Sequence, residues 1–130
     1  MLWPYNTRLN TSMTDLDSHM HLFVAYPYHK KLMVLDSKYK EDRTVPAAEK
    51  ILEVIKTLTH DDEWSMEFVK VTQQKNNDCT VFAGMFAWAV IYQLPLNMSA
   101  EYSKSFRNHM ALTLLQGSLH FRLEPKVCMI

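Results

Sequence analysis

Residues 79–94 constrain this chain more than any other stretch: after Cys79-Thr80 nearly every side chain is apolar, up to Leu94 and Pro95. A helix that is apolar all round cannot lie on a surface, so the remaining elements must wrap it. Its longest apolar part, residues 81–92, is shorter than the roughly 20 residues that cross a bilayer. The expectation is therefore a buried helix at the centre of a soluble domain, with Asn77 or Asp78 as N-cap and Pro95 as its stop.

The wrapping elements can be read on either side of it. Residues 19–26, HMHLFVAY, and residues 32–35 are apolar and aromatic runs on either side of Pro27-Tyr28-His29, which predicts a β-hairpin with a loop of about four residues. Behind Pro46, the residues Ala48, Ile51, Leu52, Ile55 and Leu58 recur at helical spacing, predicting a helix over 46–59. A third strand is expected over 66–71. A last helix is expected over 100–116, capped by Ser99, closed by Gly117 and carrying Phe106, Met110 and Leu114 on one face. The order predicts an α+β fold, a small sheet containing antiparallel strands packed against the buried helix and flanking helices. At 130 residues one domain is expected, over 1–117, followed by a tail over 118–130 with no firm pattern.

Charge and composition narrow the function classes. Fourteen basic residues balance 14 acidic ones without a basic stripe, so no nucleic-acid partner is expected. The two glycines form no phosphate-cradling pattern, and no cofactor is expected. Two cysteines make no disulfide framework, and residues 1–10 lack a cationic segment leading into an apolar core. These features predict an intracellular protein, of cytoplasm or nucleus, monomeric and without a membrane segment.

Thiol chemistry needs a thiolate, which a helix N-terminus and a neighbouring imidazolium both favour. Cys79 opens the buried helix. If the hairpin is centred between Pro27 and Tyr28, opposed positions sum to 55, and His19 then faces Asp36 across the strands. A carboxylate there would fix the tautomer of a base serving the thiol. Gln73, with Gln74, precedes the cysteine in a polar loop and offers an amide donor for an oxyanion, beside the backbone N–H of Cys79. Trp64, just before the third strand, is either core packing or a wall of the substrate groove. His19-x-His21 could begin a metal site with Cys79 or Asp36, but no Cys-x-x-Cys or His-x-x-x-His supports it, so no metal is expected.

These residues resemble the ubiquitin-like-protein proteases, which include the SUMO/sentrin-specific isopeptidases and, more distantly, the adenovirus-type proteases. That family's His-Trp-x-Leu-x-Val strand followed by Asp-Ser looks like residues 19–24 and Leu35-Asp36-Ser37, with the same His-to-Asp interval. Its Gln-x-x-x-x-Asp-Cys-Gly-x-Phe is similar to Gln73 through Asp78-Cys79-Thr80-Val81-Phe82. Leu94-Pro95-Leu96 and residues 106–110 resemble its closing helices, and Tyr5-Asn6-Thr7 weakly resembles its Phe-Asn-Thr segment.

The resemblance implies a papain-like or adenain-like cysteine protease core. It also implies hydrolysis of the bond after the C-terminus of a ubiquitin-like modifier, whose conjugates would be the partners. Carried over, His19, Asp36 and Cys79 are the triad, Gln73 lines the oxyanion hole, and Thr80 stands beside it against the substrate. Three departures stand out. Met20 replaces the family's tryptophan, Thr80 replaces the glycine after the nucleophile, and the segment before His19 is short. They leave two alternatives open: a modifier-binding module without catalysis, and an acyl transferase using the same triad.

Overall fold

The strand Met20–Tyr26 is apolar on both faces because a helix covers each of them. The computed structural model describes residues 1–6 and 19–116. Among these the chain forms β1 (Leu2–Asn6), β2 (Met20–Tyr26), β3 (Lys31–Leu35), α1 (Glu41–Thr59), β4 (Ser65–Phe68), α2 (Cys79–Ile91) and α3 (Tyr102–Gln116). The strands lie in the order β1-β2-β3-β4; the first three are antiparallel neighbours, and β4 runs parallel to β3. Over the described residues the architecture is α+β, with a four-stranded mixed sheet and three helices.

Alternate residues of β2 go to opposite faces. Leu22 and Val24, with Leu35, pack against Val81, Phe82, Met85, Phe86 and Ala89 of α2. Phe23 and Ala25, with Leu32 and Val34, pack against Ala47, Ala48, Ile51 and Ile55 of α1 and against Trp64. The expected burial of α2 is seen over most of its length, the sheet covering it on one side and Phe106 of α3 joining the same core, but its last residue, Ile91, is 62% exposed. No helix among the described residues is long and apolar enough to cross a membrane.

Several boundaries differ from the sequence expectation. The strand β1 was missed, because Pro4 argues against a strand. It is tolerated here on a sheet edge, where it pairs with Leu22. Helix α1 begins at Glu41, five residues before the expected start, so Pro46 lies inside it. The Lys40 carbonyl accepts from Arg43 and Thr44 N–H, and the acidic Glu41 and Asp42 suit the positive end of the helix. The third strand ends at Phe68 instead of residue 71.

Helix α2 stops at Ile91, before Pro95, because Gln93 adopts a left-handed φ of 55°. Gln93 N–H then bonds the Val90 carbonyl and Leu94 N–H that of Ala89, the paired bonds of a Schellman cap. In α3, Phe106 is buried as expected, whereas Leu114 is 80% exposed and not on the packed face. The expected closure at Gly117 and the 118–130 tail lie outside the described residues.

Candidate functional site

The hairpin register decides which groups meet. Its loop comprises Pro27 to Lys30, with Lys30 in the left-handed region at φ 51° and its N–H bonded to the Pro27 carbonyl. Paired residues such as Leu22 and Leu35, or Tyr26 and Lys31, sum to 57 instead of 55. Extended by one position, this register sets Asp36 opposite His21, not His19. A shift of two preserves the face, so His19 still reaches the carboxylate diagonally.

The contact is close. His19 Nε2 stands 2.5 Å from Asp36 Oδ1, with both residues buried. Lys38 N–H donates to the same oxygen at 2.9 Å, and the Thr44 hydroxyl donates to Oδ2 at 2.6 Å. His21 Nδ1 lies 3.4 Å from Oδ2, and the Arg43 guanidinium 3.9 Å from it. Burial pushes the Asp36 pKa up, but the hydrogen bonds from His19, the Thr44 hydroxyl and Lys38 N–H, together with the nearby His21 ring, outweigh it and hold the carboxyl well below its usual range. Thr44 escaped the sequence reading, which began the helix at Pro46. The acidic pair Glu41-Asp42 was the signal that could have placed it on the first turns.

That shift carries a stability consequence of definite sign. A group whose folded pKa is depressed contributes stability above its unfolded value, about 3.9 for aspartate, and loses it as pH falls below that value. Urea unfolding over a pH series should therefore show stability falling below about pH 4, with a shallower acid limb in Asp36→Asn. Parallel acid limbs in the two proteins would refute the assignment.

The loop before Cys79 is tied to the same place. Gln73 Nε2 donates to the Asp36 carbonyl at 3.0 Å and to the Val71 carbonyl at 3.2 Å, and its Oε1 accepts from Tyr39 N–H at 3.1 Å. Gln74 N–H donates to the Ser37 carbonyl at 2.7 Å, and the Ser37 hydroxyl donates to Gln74 Oε1 at 2.5 Å. Both amide hydrogens of Gln73 are thus engaged by backbone carbonyls, and an oxyanion would have to take one of them over.

Cys79 is the first residue of α2, half-buried and with a free thiol. Asp78 occupies the N-cap position, but its side chain makes no cap bond and instead pairs with Arg107 and, at 3.4 Å, with the Ser103 hydroxyl. No side-chain cap bond is therefore made to the first turn, which itself contains no acid, and the Asp78 carboxylate at the N-cap is paired with Arg107. A cleft of about 500 Å³ adjoins this turn, lined by Lys75, Asn76, Asp78, Ser103 and Lys104 among others.

Asp36 is thus in direct contact with both His19 and Gln73, while Cys79 is connected to them through the pinned loop of residues 73–78. Thr80 is exposed on the first turn of α2. Trp64 is 6% exposed and packs in the α1-side core. His21 and Asp36 join His19 in a buried group whose ligand atoms all lie within 4.8 Å of one another, a cluster to which Cys79 does not belong. Scanned against protein-family models the chain matches none, and it matches no curated protein.

Proposed function

We propose that this chain is a thiol hydrolase that cleaves the peptide or isopeptide bond after the C-terminus of a ubiquitin-like modifier, on a papain-like core. The observation that carries the reading is the tie from the buried His19–Asp36 pair, through Gln73, to the loop that ends at Cys79 on an uncapped helix N-terminus. Asp36 engages Nε2 of the imidazole, so proton transfer with the thiol falls to Nδ1. His19 accepts the thiol proton, and the Cys79 sulfur attacks the carbonyl carbon. The protonated imidazole returns that proton to the departing amine, and water then releases the acyl group. The Cys79 N–H and one Gln73 amide N–H hold the oxyanion, the second by exchanging a carbonyl partner.

The test is labelling of the chain with ubiquitin-like modifiers that carry a C-terminal vinyl sulfone, followed by mapping of the adduct. Rapid labelling at Cys79 is expected; an adduct at Cys128, or none with any modifier, would overturn the reading. Binding of the modifier without labelling would mark a non-catalytic module instead. On this reading Gln73→Ala should lower kcat by about 10²–10³-fold, as loss of one oxyanion donor does, with a smaller change in KM. A change in KM alone would assign Gln73 to loop anchoring.

A further inference from the structure

The proposed chemistry leaves His21 unused, yet it is among the most buried side chains in the protein. It is 1% exposed, and neither ring nitrogen makes a hydrogen bond. Its Nδ1 faces Asp36 Oδ2 at 3.4 Å, too long for a normal hydrogen bond. Tyr5 stacks on the ring at 5.7 Å with planes 13° apart, and His19 meets it edge-on at 5.6 Å, so its orientation is set by packing. A buried imidazole without hydrogen bonds calls for a water, an ion or a chemical task.

We propose that His19, His21 and Asp36 form a binding site for a divalent transition-metal ion of the zinc class. Two imidazoles and a carboxylate are a ligand set that zinc takes, with a fourth position left for water. With bonds of about 2.0–2.2 Å, tetrahedral ligand atoms stand about 3.3–3.6 Å apart. The His21–Asp36 separation of 3.4 Å already fits this, and His19 must move back from its 2.5 Å contact. Thr44 and Lys38 N–H hold the carboxylate from behind, as outer-shell donors hold metal-binding carboxylates. Arg43, 3.9 Å from Oδ2, is the opposing charge.

Binding occurs through neutral imidazoles. The Nε2 proton of His19 passes to its Nδ1, and the metal takes its place between Nε2 and Asp36. The ion would then occupy the orienting carboxylate and block Nδ1 as a base, so it would inhibit turnover reversibly. This consequence rests on the hydrolase reading, whereas the binding does not.

The experiment is calorimetric titration of the full chain with zinc chloride, in a Cys79→Ala, Cys128→Ala background so that no thiol can bind. One zinc per chain is expected, with affinity lowered at least about 10-fold by His21→Phe, whose ring suits the packing beside Tyr5 and Phe23. No binding, or unchanged affinity in a folded His21→Phe protein, would overturn the site. Should that variant not fold by circular dichroism, zinc-edge X-ray absorption of the loaded thiol-free chain decides. Two imidazoles and one carboxylate oxygen support the site, and any other ligand set refutes it. Failure of the modifier probes to label Cys79 would overturn the hydrolase alone and leave this result standing.

Discussion

Cys79→Ala should abolish turnover, with a loss on the order of 10⁶ in kcat, while the chain still folds. On the proposed hydrolase reading the effect is this large because the sulfur would form the covalent intermediate, and no other group described near the loop could replace it. What survives is the acceleration that binding and the oxyanion donors give by themselves. Stability should change little. Cys79 is half-buried at the start of α2, and alanine is the better helix former by no more than about 0.7 kcal/mol. Steady-state kinetics with a fluorogenic modifier substrate, beside a thermal melt, separates the two effects. A folded Cys79→Ala protein that still turns over would remove the nucleophile assignment.

The second large effect is expected at Asp36. The Asp36→Asn side chain has the same shape but presents one acceptor and one donor where the carboxylate presents two acceptors. Lys38 N–H and His19 both use Oδ1, and the Thr44 hydroxyl uses Oδ2. If the amide nitrogen faces His19, the imidazole must accept at Nε2 and carry its proton on Nδ1, the nitrogen that should receive the thiol proton. The wrong tautomer costs on the order of 10²–10⁴ in kcat. If the nitrogen faces Thr44, the hydroxyl must reverse its role, and the imidazolium still loses its counter-charge. Destabilisation of about 1–3 kcal/mol is expected in either case, from one buried hydrogen bond left unmade. Because kcat at saturating substrate reads only folded protein, the catalytic loss should exceed the stability loss. Unchanged kcat in the folded variant would make the His19–Asp36 contact purely structural.

The α+β class was legible in the sequence because it rests on local signals, and the residues of the candidate site were picked out by signals of the same kind. The all-apolar run announces a buried helix, and the His-to-Asp interval spans one hairpin. The hairpin register was not legible. It depends on Lys30 closing the loop in a left-handed conformation, which lysine has no intrinsic tendency to adopt. The error did no harm to the pairing, since an offset of two keeps a side chain on its face, but it hid that His21 stands opposite Asp36. The Schellman cap at Gln93 and the edge proline in β1 were missed for a related reason, as the surrounding structure tolerates there a residue that local preference disfavours. Gln73 was read from its position as a donor to an oxyanion, whereas the carbonyls it bonds belong to residues 36 and 71, which only the folded chain brings beside it.

The placement of β2 between two separate cores bears on how mutations far from the site are felt. One face of the strand belongs to the α2 layer and the other to the α1 layer, and His19 stands at its mouth while Asp36 follows the neighbouring strand. No single segment of the chain can hold the His19–Asp36 pair alone. Thr44 arrives with α1, Gln73 arrives with the loop that leads into α2, and both reach the same residue of the sheet's end. The site is therefore a junction of both halves of the fold. Loosening either layer should undo the alignment of the imidazole before the other layer opens.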